Sequence, residues 1–264
     1  MQKYIIILPT HSNYKNITVN FLQLLKKYWK ECNYKIIISI TGEKEEFSGY
    51  ECVYNGRNAS LIECILNAAN MYKSNYYMCF LGDAFINKKI NDCEIKKQLY
   101  LIQKSKIDYC SLMYVKRYKK EKRFNDYFRY INSLDRYSHN FVAFVVSHNY
   151  IQKQLATFKN DLDYEEYYLH ENKDFYYEKH LIVRKNFFGI TPGITKGKWD
   201  RINYLKLCRK NPEIDFEDRE LQTWKETIFE HFRNILISYM PPFVRIRLKT
   251  FITKVFKTTF VTKD

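Results

Sequence analysis

The chain has 264 residues and a formal net charge of +15, from 44 Lys and Arg against 29 Asp and Glu. With 46% hydrophobic and 17% aromatic residues it holds enough apolar side chain for one sizeable core, which excludes a disordered chain; 7 Gly and 5 Pro leave no material for long flexible linkers. The excess of cations points to a polyanionic partner: nucleic acid, anionic lipid or a phosphorylated substrate.

Tyr4 to Leu8 is a continuous apolar run, predicted to be a buried parallel strand ended by Pro9. Ile17 to Trp29 has helical spacing through Phe21, Leu22, Leu24 and Leu25. Tyr34 to Ile40 is a second buried strand, ended by Thr41-Gly42, and Asn58 to Tyr72 a second helix with Leu61, Ile62, Ile65, Leu66 and Ala69 on one face. Tyr76 to Leu81, Glu94 to Lys104 and Asp108 to Val115 continue the alternation as strand, helix and strand. Beyond Val115 come a basic run (Lys116 to Arg123), a further strand (Phe141 to Val146) and an acidic, aromatic stretch (Asp161 to Lys179). A loop-like segment follows (Phe187 to Trp199), then from Glu217 a helical pattern broken at Pro241-Pro242.

Strand–helix alternation implies a sheet covered by helices, and right-handed crossovers bring the strand C-termini to one edge, where ligands bind in open sheets. Pro9–Asn13, Thr41–Glu43 and Gly82–Phe85 should therefore converge. Asp83, after Leu81-Gly82, can hold a divalent cation on a diphosphate or hydrogen-bond a sugar or ribose; the same position suits a turn or N-cap Asp. Pro9-Thr10-His11-Ser12-Asn13 carries short polar side chains suited to a base or ribose, or to an ordinary strand-to-helix turn.

Ile7-Leu8-Pro9-Thr10-His11-Ser12-Asn13 resembles the first-strand signature of glycosyltransferases of the GT-A fold, and Asn58-Ala59-Ser60, the helix to Tyr72 and Tyr76–Asp83 resemble the stretch leading to their Asp-x-Asp motif. The similarity covers residues 4–115 and, more loosely, 140–200, and is to bacterial enzymes of capsule, lipopolysaccharide and other surface polysaccharide biosynthesis. It implies an α/β, GT-A-like (Rossmann-like) mixed sheet flanked by helices, with a catalytic domain over 1–215 and a helical, basic, amphipathic extension over 216–264. It implies transfer of a hexose-type sugar from a nucleotide-diphosphate sugar to a saccharide acceptor, lipid-linked in such pathways. Donor-binding residues would be Pro9, Thr10, His11, Asn13, Thr41, Asn58, Gly82, Asp83, Lys196, Lys198 and Trp199. Asp83 would be the metal ligand for Mn or Mg, but its acidic partner is absent from Gly82-Asp83-Ala84-Phe85; cations from Lys116–Arg123 or from Lys196 and Lys198 can take the metal's place. Inverting members of the family use a carboxylate as general base near a helix start. Asp163, Glu165 and Glu166 occupy such a place, where acids also simply favour the helix dipole. Trp199 would anchor the sugar or pack in the core.

The seven Cys are odd in number and without metal-finger spacing, no run approaches the ~20 apolar residues of a membrane span, and no secretion signal is visible. A cytoplasmic protein is expected, peripheral on the inner face of the plasma membrane through residues 243–260. There Val244, Leu248, Phe251, Ile252 and Val255 form an apolar stripe beside Arg247, Lys249, Lys254 and Lys257. The alternative of a basic nucleic-acid-binding protein ranks second, since no RNP motif, zinc finger or helix-turn-helix is present. A nucleotidyltransferase ranks third, since residues 8–16 contain no Gly.

Overall fold

Along β1 (Tyr4–His11) the apolar run splits by strand periodicity: Tyr4, Ile6 and Leu8 enter one core cluster, Ile5 and Ile7 another. A strand buried on both faces needs no polar alternation, which is why the run is unbroken. A computed structural model of the chain describes residues 4–114, 121–135, 138–169, 173–195, 197–216 and 219–239, the last segment with side chains as far as 232. The remaining elements are α1 (Lys15–Tyr28), β2 (Lys35–Thr41), β3 (Glu51–Tyr54), α2 (Leu61–Met71), β4 (Tyr76–Phe80), β5 (Ala84–Ile86), α3 (Asp92–Lys104), β6 (Tyr109–Ser111), β7 (Phe128–Asn132) and β8 (Ala143–Ser147). They continue with α4 (His148–Lys153), α5 (Asp161–Leu169), β9 (Tyr176–Val183), β10 (Ile190–Pro192), β11 (Ile194–Thr195), β12 (Lys198–Trp199), α6 (Arg201–Lys210) and α7 (Trp224–Tyr239).

The main sheet has eight strands in the order β3-β2-β1-β4-β8-β6-β9-β7. β3, β2, β1 and β4 are parallel, β8 runs against both β4 and β6, and β7 runs against β9. The architecture is thus a mixed α/β sheet flanked by helices. α1 buries Ile17, Phe21, Leu24 and Leu25 on one face, where α3 adds Ile95, Leu99 and Ile102; α2 buries Ile62, Ile65, Ala68 and Ala69 on the other, beside Tyr150 and Ile151 of α4 and Tyr164 and Tyr168 of α5. Each such side chain contributes about 1.5–3 kcal/mol by leaving water. α2 starts on a capping box, Ser60 Oγ accepting from Glu63 N–H and Glu63 accepting from Ser60 N–H.

Pro9 does not end β1. The strand pairs with β4 only as far as Ile7 opposite Cys79, so Pro9 lies where one side of β1 is no longer laddered, while its pairing with β2 runs on to His11 opposite Thr41. The strand expected over 108–115 is only Tyr109–Ser111. The segment expected to be loop-like forms β10, which pairs with β5, and the β11–β12 hairpin. β3, β7, β9 and α6 carry no clear mark in the sequence. α7 is held to α6 by His231 Nε2, 2.9 Å from Asp200 Oδ2, the carboxylate that also caps α6 through Asn203 N–H. Residues 116–120, Lys196 and the expected membrane segment 243–260 lie outside the described residues.

Candidate functional site

From β1 the chain moves outward to β2 and β3, then crosses over to β4 on the other side of β1. This reversal parts the connections beyond the β1 and β4 C-termini and opens a crevice there. The cleft measures about 250 Å³ and is lined by Pro9, Thr10 and His11 of β1, Thr41 of β2 and Leu81, Gly82 and Asp83 after β4, with Tyr14, Leu61 and Cys64 from the helix starts. The three strand ends expected to converge do so. The floor and walls are predominantly apolar with a few polar groups, as in small-molecule sites.

Each polar strand end is fixed by hydrogen bonds. His11 Nδ1 accepts from Asn13 N–H at 3.1 Å, so a neutral ring carries its proton on Nε2. Ser12 Oγ accepts from Glu43 N–H at 3.0 Å, joining the β1 turn to the β2 turn. Between them Gly42 has φ +91°, and a Cβ there would lie 2.4 Å from Ser12 Oγ and 2.8 Å from the His11 ring, so only glycine fits. Thr10 and Thr18 share a hydroxyl hydrogen bond of 2.8 Å, and a Cβ on Gly82 would meet Thr18 Oγ1 at 3.0 Å; α1 therefore sits directly against the turn that carries Asp83. Thr41 Oγ1 donates to the Gly56 carbonyl.

Asp83 is half-buried between β4 and β5, its carbonyl accepting from Gly193 N–H at 2.9 Å. Burial pushes its carboxyl up to about 6, against smaller opposing effects of its own backbone amide and of the Arg219 guanidinium. Arg219 lies 4.0 Å from the centre of the Tyr14 ring, donates Nη2–H to the Asn13 carbonyl at 2.8 Å and acts electrostatically on Asp83. This cation is not itself a lining residue but stacks on one, Tyr14, from far along the sequence. Sequence reasoning missed it, because a single Arg in a polar stretch gives no periodic signal. Burial pushes the Cys64 thiol up to about 11, so it is a neutral wall residue and not a thiolate nucleophile.

The other expected site residues lie outside the lining. Asn13 and Asn58 are exposed, Asn13 touching the site through its carbonyl and amide. Lys198 pairs with Glu226 at 3.4 Å and Glu220 at 3.8 Å. Trp199 is fully buried and stacked on Phe85 at 5.3 Å, with Phe216 and Tyr204 on its other sides. It supports the chain just past Asp83 and does not cover a sugar. Lys196 lies outside the described residues. Asp163, Glu165 and Glu166 are on α5, whose first turn is capped by Asn160 Oδ1 accepting from Asp163 N–H; none of the three is among the lining residues. Burial and then Asp161 push the Glu165 carboxyl up to about 7.

Among the described residues no group of three or more His, Cys, Asp or Glu is placed to hold a metal ion. Phe85, where a second acid of an Asp-x-Asp pattern would stand, is fully buried in the stack with Trp199. The divalent cation implied by the resemblance does not fit this donor set.

No protein-family model matches the chain, and no curated protein matches it. Among solved structures it is similar to a cytidylyltransferase from Leptospira borgpetersenii serovar Hardjo-bovis (strain JB197), at 13% identity and TM-score 0.47, over 84% of this chain and 99% of that one. It is similar to TarS of S. aureus at 12% identity and TM-score 0.44, over 82% of this chain and 41% of that one. It is also similar to a UDP-glucose pyrophosphorylase complexed with UDP-glucose, at 9% identity and TM-score 0.42, over 71% of this chain and 94% of that one. At these identities the likeness is one of α/β architecture, and the reading of the cleft rests on its own geometry.

Proposed function

We propose that the cleft binds a nucleotide-diphosphate sugar and that the protein transfers the sugar to a saccharide acceptor carried on a lipid, in surface polysaccharide assembly. The observation that carries this reading is the meeting of three polar strand ends and a protonatable Asp83 at one topological switch point. In the reaction an acceptor hydroxyl oxygen attacks the anomeric carbon, the bond from that carbon to the diphosphate oxygen breaks, and the nucleoside diphosphate departs with the bonding electrons. The hydroxyl proton passes to a carboxylate base, which we assign to α5. Of its four acids, Glu165 has its carboxyl raised to about 7, which suits a base near neutral pH. A single displacement of this kind inverts the anomeric centre.

The membrane part of the proposal is supported by α7, which is turned inside out. Thr227 and Glu230 face the domain, where Gln222 donates to Glu230 at 3.0 Å, while Trp224, Ile228, Phe229 and Phe232 are each more than half exposed. Leu205 of α6 is exposed beside the cations Lys206, Arg209 and Lys210, and α6 carries no acid. Exposed apolar side chains together with cations suit the interface of an anionic bilayer. None of the described helices is long and apolar enough to cross a membrane.

The test is a thermal-shift screen against uridine, guanosine and cytidine diphosphates and their sugar conjugates, followed by transfer to lipid-linked acceptors. Stabilisation by at least one nucleotide sugar, with release of the nucleoside diphosphate on transfer, is expected. Stabilisation by oligonucleotides alone, or turnover of a nucleoside triphosphate with a sugar phosphate, refutes the reading. Flotation with phosphatidylglycerol vesicles, lost in Phe229→Glu with Phe232→Glu, tests the membrane part; equal flotation of this variant refutes it.

A further inference from the structure

Between the starts of α6 and α7, outside the cleft, a cation is built into the surface. Arg201, the first residue of α6, donates Nε–H to the Gln222 carbonyl at 2.7 Å, and its guanidinium lies 5.3 Å from the centre of the Trp224 ring. Among the described residues no acceptor takes its Nη N–H groups, and these groups reach solvent. The fork is fixed on one edge and open on the other, which suits two parallel bonds to phosphate oxygens. The acids of the two helix starts are committed elsewhere. Asp200 accepts from Asn203 N–H at 2.8 Å and faces His231 Nε2 at 2.9 Å; Glu226 accepts from Thr223 and pairs with Lys198. From Trp224 an apolar stripe runs along α7. Ile228 and Phe232 follow at four-residue steps, with Phe229 beside Ile228, and all four side chains are more than half exposed. At a rise of about 1.5 Å per residue the stripe is about 12 Å long. Cation and stripe meet at Trp224, so a ligand that satisfies both carries a phosphate at the end of an apolar chain.

The place of this site in the fold selects among such ligands. The Asp83 carbonyl accepts from Gly193 N–H at 2.9 Å, the Gly193 carbonyl accepts from Asp200 N–H at 2.8 Å, and Arg201 is the next residue. Arg201 thus follows directly on a two-bond link to the turn that lines the cleft. A bilayer phospholipid gains nothing from that proximity, whereas the phosphate of a lipid-linked acceptor brings its saccharide beside the donor. We infer that Arg201 and the Trp224–Phe232 face of α7 bind the phosphate and the adjoining apolar chain of the lipid-linked acceptor. The inference rests on the proposed transfer to such an acceptor and gives that acceptor its binding site. Arg201 is here a binding residue that touches the substrate, and Gln222 positions it through the bond to Nε.

The experiment is calorimetric titration of the full chain with farnesyl diphosphate, which carries both required features, beside farnesol and inorganic pyrophosphate, which carry one each. Wild type is expected to bind farnesyl diphosphate at least about tenfold more tightly than either. Arg201→Gln keeps a donor for the Gln222 carbonyl but removes the charge; it should weaken farnesyl diphosphate about tenfold, the size expected for a charge-assisted pair, and leave farnesol unchanged. Arg201→Lys should retain part of the affinity. Unfolding curves for both variants keep a folding defect separate from a binding defect. Flotation with phosphatidylglycerol vesicles should be equal in wild type and Arg201→Gln. Flotation lost in parallel with farnesyl diphosphate binding assigns the site to bilayer headgroups and overturns the inference. So does an Arg201→Gln titration equal to wild type, or a wild type that does not bind farnesyl diphosphate. The transferase reading is decided separately, by nucleotide-sugar stabilisation of the same preparations. Where a nucleotide sugar binds, that reading survives the overturning of this site; where none binds, it fails and the acceptor role of the site fails with it.

Discussion

Replacing Asp83 by Asn removes the carboxylate that lines the cleft and changes little else in shape. Burial raises that carboxyl from its ordinary 3.8 to about 6, with the help of Arg219 already counted. At about 1.4 kcal/mol per pH unit, the ionised group then costs the folded protein about 3 kcal/mol at neutral pH, an upper bound because the Asn amide must also be satisfied. The expected gain in Asp83→Asn is therefore about 1–3 kcal/mol, or a rise of several degrees in Tm. Its pH dependence is the sharper part. Folded Asp83 binds its proton more tightly than the unfolded chain does, so wild-type stability is penalised above the folded value and recovers as pH falls through about 6 towards 3.8. Urea unfolding at about pH 7.5 and about pH 4.5 should show the advantage of the variant shrinking to about a third at the lower pH. A carboxylate that costs stability where it stands marks a site kept for function. A variant less stable than wild type at neutral pH, or an advantage independent of pH, would refute the argument.

Trp199→Ala should cost about 3–5 kcal/mol by emptying the stack on Phe85 and Phe216, measured by chemical unfolding; an unchanged midpoint with a selective loss of sugar binding would return Trp199 to the donor site. His139 and His180 face each other at 2.9 Å among Tyr168 and Tyr177, and burial lowers both imidazoles, His180 to about 4. The His180 ring should stay neutral in an NMR titration until the pH nears 4, and the His139 ring well below the ordinary imidazole range; since unfolded His titrates near 6.5, both withdraw stability as pH falls below 6.5. A ring titrating near 6.5 in the folded protein contradicts this burial. Glu165→Gln should abolish the rise of kcat/KM with pH that a base titrating at about 7 produces, and an unaltered pH profile would remove Glu165 from the reaction.

The parallel half of the sheet was legible in the sequence because Ile5 to Leu8, Ile37 to Ile40 and Tyr77 to Phe80 are buried on both faces and so form apolar runs broken only by the buried Ser39. Once those strands were placed, the convergence of Thr10, Thr41 and Asp83 followed from crossover handedness alone. The antiparallel half was less legible for equally physical reasons. β7 carries a buried Arg129 paired with Asp135 at 2.5 Å, which reads as a surface charge, and β3 is a half-exposed edge strand of four residues. Trp199 could not be assigned by residue type. What decides it is Gly193, whose missing side chain lets Phe85 and Trp199 close on each other: a Cβ there would lie 2.4 Å from the Phe85 ring. The helix at α7 was legible, but the usual rule puts apolar side chains inward, and the structure puts Trp224, Ile228, Phe229 and Phe232 out. Arg219 depends on a contact across the whole domain, with Asn13, which no local pattern encodes.

Burial of Asp83 at the cleft makes donor binding a proton-linked event. A diphosphate bound there adds negative charge beside the carboxylate, which drives Asp83 to take up a proton, and its titration moves above 6. Linkage then requires the reverse: the affinity for a nucleotide sugar must rise as pH falls between the bound and free values, by up to about tenfold per pH unit. A nucleotide sugar is the ligand for this measurement because its diphosphate is doubly esterified and does not itself titrate near neutral pH. The slope should appear in wild type from about pH 8 downward, level off below about 6, and be absent in Asp83→Asn, which has no proton to take up and binds at every pH as wild type does in acid. A slope that survives in Asp83→Asn would assign the proton to another group and separate Asp83 from the diphosphate.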